Sequence, residues 1–450
     1  MKKPHLLLVN PWIFDFAAFD LWLKPLGLLY IADILLKNSY EISFIDCLDR
    51  NNEKLLKLQK LDKPKNKKYG CGNFFRSEVK KPEILRDIPK KYCRYGITEE
   101  IFIEELKKIK KPDAILVTST MTYWYPGVFR AIEILKDNFK NVPVILGGIY
   151  ATLCHEHALK FSGADFVFKG SNLNEIIKLI SGMAKSNISF IPSIDEFPSP
   201  AFSLYKRLDY ACILTSYGCP FNCTYCASRI LHKSFIQIKP EKIISEIGNL
   251  HKNFGINNFA FYDDALLVNP VNHLENIMDG INKLDISCYF HTPNGLHPKY
   301  ITESLAEKMY SAGFKTLRLS LETADMELQK ITGGKVTNDE FEKAVGFLKK
   351  TGFTSKELGA YIFIGHPNQT KNDVMNSISY VIKNGVMPFI VEYSPIPGTV
   401  EWNNLVKKGI IEENIDPLLH NNSVFFRKFF RWEEADLQKA KSVIKAYLNA

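Results

Sequence analysis

The sequence predicts an α/β protein with a doubly wound sheet at the N-terminus, then a partial six-stranded β/α barrel, then a short helical C-terminal segment. Short aliphatic strands alternate with segments of helical periodicity in two series, which are separated by a Pro-rich stretch at residues 191–200. Continuous apolar strands such as residues 115–117 indicate burial on both faces, which is typical of parallel sheets.

The composition is that of a globular chain. Its 450 residues are 46% hydrophobic and 24% charged, and the length favours about three domains. No window approaches the ~18 consecutive apolar residues that cross a bilayer. The apolar run near the start ends at Asn10, too early for a secretion signal. We therefore expect a cytoplasmic protein whose thiols stay reduced.

The first series predicts a doubly wound domain over residues 1–198. Its strands are predicted at residues 6–10, 41–46, 114–119, 142–147 and 166–168, and its helices at 27–36, 99–109, 128–138 and 174–184. Ligands of such sheets bind at the carboxyl ends of the strands. An insertion at residues 50–98 is longer than ordinary loops, and it carries seven lysines between Lys54 and Lys68. These lysines contribute to the net charge of +9, and the simplest interpretation is that they lie on a solvated loop.

The second series predicts the barrel over residues 199–400. Its strands are predicted at residues 211–215, 258–262, 287–291, 316–320, 357–364 and 387–393, and its helices at 240–253, 271–283, 302–312, 338–350 and 371–384. Each unit is near the ~30 residues of a βαβ unit, and the span is too short for the ~250 residues of an eight-unit barrel. Residues 401–450 predict the closing helical segment.

Three of the nine cysteines crowd into the loop after the first barrel strand: Cys219, Cys223 and Cys226. Chemistry in β/α barrels lies at this carboxyl end. Three thiolates at this spacing can hold three irons of a [4Fe–4S] cluster and leave the fourth iron open. There are two alternatives. One is a zinc site that His232 completes, and the other is three buried cysteines with a structural role only.

The cysteines form the pattern Cys-x3-Cys-x-aromatic-Cys, with Tyr225 as the aromatic residue, directly after the first strand of a six-unit barrel. This arrangement resembles that of the radical S-adenosylmethionine (SAM) enzymes. The resemblance implies that the three cysteines are the metal-binding and catalytic residues. It also implies that SAM chelates the open iron and is cleaved by one electron to a 5′-deoxyadenosyl radical.

Other strand ends are similar to SAM-binding segments of that family. Asp263 and Asp264 end the second strand where a polar motif receives the methionine amino group. The SAM-binding residues that the resemblance implies are Tyr225, Asp263, Asp264, Ser320, Glu322, Gly365 and Pro367. His366 lies in a segment that usually lacks histidine, and it is either structural or in contact with substrate.

The front domain resembles the Rossmann-like cobalamin-binding domain of the B12-dependent subgroup. Paired glycines let a backbone approach a flat macrocycle, and Ser/Thr hydroxyls can bond its edge. The cobalamin-binding residues implied are Pro25, Gly27, Leu28, Ser119, Thr120, Gly147, Gly148, Ala151 and Thr152. The Asp-x-His-x-x-Gly signature is absent, so no axial ligand is predicted.

The resemblance implies a cobalamin-dependent radical SAM methyltransferase acting on an unactivated carbon. Two alternatives stay open: a radical rearrangement, cyclisation or oxidation without methyl transfer, and a non-catalytic Fe–S or basic RNA-binding protein that uses the lysine stretch. A tRNA methylthiotransferase fits less well, because that family carries three further cysteines in its front domain. The expected partners are a small-molecule or peptide substrate and an electron donor such as flavodoxin or ferredoxin. Neither a membrane nor nucleic acid is expected.

Overall fold

The structure is a computed structural model that describes residues 3–186, 197–430 and 432–449. Residues 191–196 of the predicted Pro-rich linker lie outside the described residues. The chain divides into two compact units, Met1–Asp209 with Asn414–Leu419, and Tyr210–Glu413 with His420–Ala450. The predicted domain limits at residues 198 and 400 stay predictions. The compact units divide at Asp209, and the last two helices belong to the second unit.

The first unit contains a five-stranded parallel sheet, which confirms the predicted doubly wound class. Ten strands occur in its described residues: β1 His5–Asn10, β2 Ile13–Asp15, β3 Phe19–Asp20, β4 Glu41–Asp46, β5 Gly72–Asn73, β6 Arg76–Glu78, β7 Cys93–Tyr95, β8 Ala114–Val117, β9 Val144–Leu146 and β10 Phe166–Val167. The sheet order is β10-β9-β8-β1-β4. Because the chain leaves β1 on one side and returns on the other, the switch point lies between β1 and β8, where ligands of such folds bind.

Helices cover both faces of this sheet. They are α1 Leu26–Lys37, α2 Glu53–Leu58, α3 Glu99–Leu106, α4 Tyr125–Asn138, α5 Ile149–Leu153, α6 His155–Phe161 and α7 Leu173–Met183. Leu6 and Leu8 pack towards α1 and α7, whereas Leu7 and Val9 pack towards α3 and α4. All four of these side chains are 0% exposed, as burial on both faces of the sheet requires.

The insertion at residues 50–98 is folded rather than an open loop. Strand β5 pairs antiparallel with β3, and β7 pairs antiparallel with both β6 and β2. Phe74 lies in a small hydrophobic core that also contains Cys93 and Tyr95. Arg50 is buried and donates to Asp20 at 3.0 Å and to the Gly70 carbonyl at 2.9 Å. Six of the seven lysines between Lys54 and Lys68 are exposed, and Lys54 is half-buried beside Glu104, so a solvated stretch accounts for them.

The second unit contains the predicted six-stranded parallel sheet, in the order β11-β14-β15-β16-β17-β18. Its strands are β11 Ala211–Ile213, β12 Ser216–Tyr217, β13 Ile236–Gln237, β14 Asn258–Phe261, β15 Tyr289–Leu296, β16 Phe314–Glu322, β17 Leu358–Ile364 and β18 Met387–Glu392. Strands β12 and β13 form a separate short hairpin pair. Phe259, Phe261, Phe290 and Phe314 stack on one another with ring centroids 5.5–5.8 Å apart.

Helices follow the strands of the second unit as the sequence predicts. They are α8 Ser228–Leu231, α9 Pro240–Phe254, α10 Leu274–Asn282, α11 Glu303–Ser311, α12 Met326–Ile331, α13 Asn338–Thr351, α14 Lys371–Lys383, α15 Val400–Lys407, α16 Asn422–Phe430 and α17 Glu434–Asn449. Their starts have a local cause: Thr337 and Thr370 form capping boxes with Glu340 and Asp373. The helical C-terminus is confirmed.

Candidate active site

The three clustered cysteines lie on one loop between β12 and α8, beyond the carboxyl end of β11. All three are free thiols; Cys219 and Cys223 are half-buried and Cys226 is exposed. Gly218 turns the chain into the loop with φ +73°, and a Cβ there would lie 2.4 Å from the Ser234 carbonyl oxygen. The turn therefore requires glycine.

Burial raises the pKa of all three thiols. It raises the pKa of Cys219 to about 11 and raises that of Cys223, where Lys335 opposes part of the effect. Since the thiolate is the form that binds metal, cluster assembly must displace protons from this loop.

Distant segments hold the cysteine loop in place. The Thr224 amide donates to the Thr332 carbonyl at 3.2 Å. Gly333 lies against the loop with φ +121°, and a Cβ on it would lie 3.0 Å from the Cys223 Cα. The turn after α12 therefore forms a close-fitting backbone support for the middle cysteine.

A second support comes from Glu401, in the first turn of α15. Its amide donates to the Thr224 carbonyl at 3.1 Å, and its Oε1 accepts from Thr224 Oγ1 at 2.7 Å and from His366 Nε2 at 3.1 Å. Tyr393 donates to its other oxygen. Burial raises the pKa of Glu401, but these bonds outweigh burial and lower it overall. His366 therefore has a structural partner.

Replacing Glu401 is expected to loosen the cysteine loop. In Glu401→Ala, Tyr393 and His366 lose their buried acceptor, and we expect about 2–4 kcal/mol of destabilisation with a lower iron content. Glu401→Gln should lie between this variant and the wild type, because an amide retains one acceptor. Urea unfolding and iron assay measure both effects. The control is Glu412→Ala, at an exposed glutamate; equal behaviour of Glu401→Ala and Glu412→Ala would refute this role.

An ion pair lies next to the cysteines. Glu322 ends β16 and pairs with Lys335 at 2.6 Å, and both side chains are less than 15% exposed. The ammonium of Lys335 lies 5.6 Å from the ring centroid of Tyr225. Burial would lower the pKa of Lys335, but Glu322 and Cys223 raise it overall. Glu322 adopts φ +60°, a strained conformation for a non-glycine residue that recurs at functional sites.

The two aspartates after β14 differ in their surroundings. Asp263 is 3% exposed and accepts from the Thr215 amide at 3.0 Å, from the Thr215 hydroxyl at 2.7 Å and from Ser216 Oγ at 2.6 Å. Burial raises its pKa to about 6. Asp264 is exposed and accepts from Ser228, two residues beyond Cys226. Of the pair, Asp264 is the one that a ligand beside the cysteines can reach.

The remaining predicted SAM residues lie at the carboxyl ends of their strands. Ser320 is 3% exposed, and its Oγ lies 2.0 Å from the position of a Cβ on Gly295. Gly365 has φ +86°, and Phe426 of α16 fills the space where its side chain would be. Pro367 is half-buried in the following turn.

In the first unit, Ser119 and Gly148 join the ends of β8 and β9. Ser119 Oγ donates to the Gly147 carbonyl at 2.7 Å and accepts from the Ala151 amide at 3.3 Å. Gly148 has φ +99°, and a Cβ on it would lie 2.2 Å from the Ser119 carbonyl oxygen. Thr152 is buried and donates to the Gly148 carbonyl at 2.8 Å.

The rest of this edge is open. Among the described residues, no atom outside the glycine and its two chain neighbours lies within 4 Å of a Cβ built on Gly27 or on Gly147. Met121 and Ile149 are exposed to 40% and 37% at the same edge. Pro25 and Leu28 are buried at the start of α1, and Thr120 is half-buried. The edge therefore combines a close-packed turn at Gly148 with free space at Gly27 and Gly147 and two exposed apolar side chains.

Comparison with known proteins identifies the family. Residues 213–381 match the Radical SAM superfamily, and this stretch runs from the end of β11 into α14 and includes the cysteine loop. This chain therefore contains a radical SAM domain. It is accordingly a radical SAM enzyme, and the cofactors of that family are a [4Fe–4S] cluster and SAM.

Two curated relatives match this radical SAM chain over long stretches. An uncharacterized methyltransferase from Pyrococcus horikoshii is 25% identical over 397 residues, which cover 79% of this chain and 83% of the relative. A tRNA-2-methylthio-N(6)-dimethylallyladenosine synthase from Staphylococcus haemolyticus is 22% identical over 312 residues, 63% of this chain and 58% of that relative.

The similarity to a solved structure covers the front domain as well as the barrel. The radical SAM methyltransferase TsrM from Kitasatospora setae, solved with cobalamin and a [4Fe–4S] cluster bound, superposes with a TM-score of 0.66. The superposition covers 90% of this chain and 78% of TsrM at 14% identity. The two chains therefore share a fold over both units.

The zinc alternative finds no support in this radical SAM protein. Among the described residues, no group of three or more His, Cys, Asp or Glu side chains could hold a single metal ion. His232 instead packs edgewise against Tyr217, with ring centroids 5.8 Å apart. A [4Fe–4S] cluster binds each thiolate through a different iron, so three free thiols spread over one loop fit it. In the described part of the chain, no helix is both long and apolar enough to span a bilayer.

Sequence reasoning missed Lys335, Glu401 and the Thr332–Gly333 turn. The Gly333-Gly334-Lys335 run was the available signal, because two glycines before a lysine after a short helix mark a close approach of the backbone. Glu401 carried no local signal, since its partners lie elsewhere in the sequence.

Proposed function

We propose that the protein is a cobalamin-dependent radical SAM methyltransferase that acts on an unactivated carbon. The observation that carries the proposal is the open edge of the first sheet, where Gly27 and Gly147 leave free space beside exposed Met121 and Ile149. Similarity to an uncharacterized methyltransferase and to the fold of TsrM supports the same assignment.

The chain contributes binding and positioning. When bound, the cluster and SAM supply the electron transfer and the radical precursor, and cobalamin supplies methyl transfer. Cys219, Cys223 and Cys226 would hold the cluster. Asp264 is placed to receive an ammonium group by a charge-assisted hydrogen bond, since its carboxylate is exposed beside the cysteine loop. Lys335 places a positive charge next to two anionic thiolates and stabilises them.

At the first sheet, Ser119, Gly148 and Thr152 set the shape of the edge. The Ser119 and Thr152 hydroxyls donate to the Gly147 and Gly148 carbonyl groups. Met121 and Ile149 contribute exposed apolar side chains at this edge. A flat macrocycle needs such a surface, and the backbone at Gly147 can approach it closely. The histidines near this edge have other partners: His157 bonds Tyr150 at 2.6 Å, and His155 Nδ1 lies 3.1 Å from the Ala151 carbonyl oxygen.

The test of both cofactors is anaerobic purification with added cobalamin, followed by an optical spectrum and metal counts. We expect about four irons and about one cobalt per chain. Iron without cobalt would remove the methyl-transfer proposal and leave the radical enzyme. With a substrate in hand, SAM carrying a deuterated methyl group should transfer that label to the product; an unlabelled product would favour rearrangement, cyclisation or oxidation.

Substitution of Gly147 tests the location of the cobalamin site. Gly147→Trp should fold, because its Cβ meets no atom and its φ is not positive, yet the indole would fill the free space. We expect cobalt content to fall at least about tenfold with iron unchanged. The matched control is Gly182→Trp, on α7, whose Cβ also meets nothing. Wild-type cobalt content in Gly147→Trp would place cobalamin elsewhere.

A methylthiotransferase is the second candidate, favoured by the match to the tRNA-modifying synthase. The first unit does not support it. Its described cysteines do not share one loop as Cys219, Cys223 and Cys226 do: Cys47 follows β4, Cys71 precedes β5, Cys93 lies in β7 and Cys154 lies between α5 and α6. An iron count well above four would revive this candidate.

For the reductant, we propose a small electron carrier such as flavodoxin or ferredoxin.

A further inference from the structure

The inner surface of the barrel sheet is partly accessible, whereas its outer surface is sealed. Along β16, Leu317, Leu319 and Leu321 are 0% exposed on the helix-covered face. On the opposite face Arg318 is half-buried, and so is Tyr361 on β17. Side chains alternate across a strand, so Arg318 and Tyr361 line an interior that retains solvent access.

Arg318 has an incomplete set of partners. Its Nη1 donates to the Leu317 carbonyl at 3.2 Å, and its guanidinium carbon lies 3.9 Å from the ring centroid of Phe389. Within the described residues, no carboxylate pairs with it. The cations before and after it along the chain differ, because Lys315 pairs with Glu357 and Lys330 pairs with Glu327.

The described residues around Arg318 supply no ion-paired carboxylate that would compensate its charge. Burial and Arg318 lower the pKa of His291 to about 3, so this histidine is neutral near pH 7. Its Nδ1 contacts Thr316 Oγ1 at 3.1 Å, and the Tyr361 hydroxyl donates to the Pro293 carbonyl. A half-buried cation without an anion is unfavourable, and a guanidinium cannot escape by losing its proton.

Gly359 makes the space for this arrangement. A Cβ at Gly359 would lie 2.5 Å from Phe389 Cε2 and 3.0 Å from Arg318 Nη1. Gly359 pairs with Arg318 across β16 and β17, so the absent side chain lets the guanidinium stack flat on the ring. Stacking fixes the plane of the guanidinium and leaves Nε and Nη2, which form a donor fork for two oxygens.

We propose that Arg318 binds an oxyanion of the substrate, a carboxylate or a phosphate, inside the barrel. The inference rests on the proposed function, whose substrate class it names. Glu322, beside the cysteine loop, lies four residues further along β16, which is at most roughly 13 Å at ~3.3 Å per residue because the strand is irregular between Ser320 and Glu322. The substrate is therefore a small anionic molecule, with its anion at Arg318 and its reacting carbon towards the cysteines.

The experiment is calorimetric titration of the anaerobically reconstituted protein with benzoate, inorganic phosphate and the neutral analogue benzamide. We expect saturable binding of benzoate or phosphate, and binding of benzamide at least about tenfold weaker. Tighter binding of phosphate than of benzoate indicates a phosphorylated substrate, and tighter binding of benzoate indicates a carboxylic acid. Absence of saturable binding of either anion up to about 10 mM, or equal binding of benzamide, overturns the proposal.

Variants assign the binding to Arg318. Arg318→Gln should weaken anion binding at least about tenfold, and Arg318→Lys, which keeps the charge without the fork, should weaken it less and covers a failure of Arg318→Gln to fold. The control is Arg86→Gln, whose side chain is 73% exposed. Wild-type affinity in both Arg318 variants refutes the proposal. Electron paramagnetic resonance of the reduced cluster with and without SAM, on the same samples, tests the proposed function independently of anion binding.

Discussion

Replacing Cys223 with alanine is expected to abolish the cluster and all SAM cleavage. Cys223 is the middle ligand of the loop, and it lies against Gly333 and beside Thr224, whose bonds fix its position. Two thiolates would retain two irons at most, so we expect iron to fall from about four per chain to near zero. Iron assay, the optical spectrum and 5′-deoxyadenosine formation measure the loss.

The matched control is Cys288→Ala. Cys288 is also a free thiol of the second unit, but it is buried just before the amino end of β15, near His251. Its removal should leave the iron content unchanged. Full iron in Cys223→Ala, or equal loss in both variants, would contradict the assignment of the cluster to this loop.

Replacing Gly148 with alanine is expected to destabilise the first unit strongly. The residue adopts φ +99°, and the new methyl group would lie 2.2 Å from the Ser119 carbonyl oxygen and 2.7 Å from its nitrogen. Backbone strain of about 1–3 kcal/mol adds to about 1–3 kcal/mol of overpacking. We therefore expect about 2–6 kcal/mol, measured as a lower urea midpoint and faster amide exchange in β8 and β9.

Gly182→Ala is the control for this substitution. Gly182 lies in α7, and a Cβ there meets no atom, so alanine should be neutral or slightly stabilising in a helix. If Gly148→Ala unfolds at the same urea concentration as Gly182→Ala, the turn between β9 and α5 is not rigid. In Gly148→Ala, cobalt content and stability should fall together. In Gly147→Trp, cobalt content should fall while the protein still folds.

The order of elements was predictable because each long strand and helix carries its own periodic signal. Residues 41–46 were predicted as a strand and form β4 over the same residues, and the six barrel strands lie where apolar runs occur. The short strands of the insertion were not predicted. Strands of two or three residues, such as β5 and β7, contain no full period, and their pairing with β2 and β3 depends on tertiary contacts.

Part of the candidate site was readable for the same local reason. The cysteine spacing and Gly218 lie within one short segment, so the sequence indicates their chemistry. The division of roles between Asp263 and Asp264 was not readable, because it depends on which carboxylate faces Thr215 and Ser216. The unpaired charge of Arg318 likewise emerges only when neighbouring strands are in register.

The contacts that hold the cysteine loop have a consequence for biosynthesis. The Thr224–Glu401 hydrogen bond joins residues 177 positions apart, and Thr332 also lies far downstream of the cysteines. Chains emerge from the ribosome N-terminus first, at about 5–20 residues per second. The three cysteines are therefore exposed for seconds before their supports exist. Iron delivery during that interval would meet an unsupported loop, so productive maturation of the enzyme follows completion of the chain.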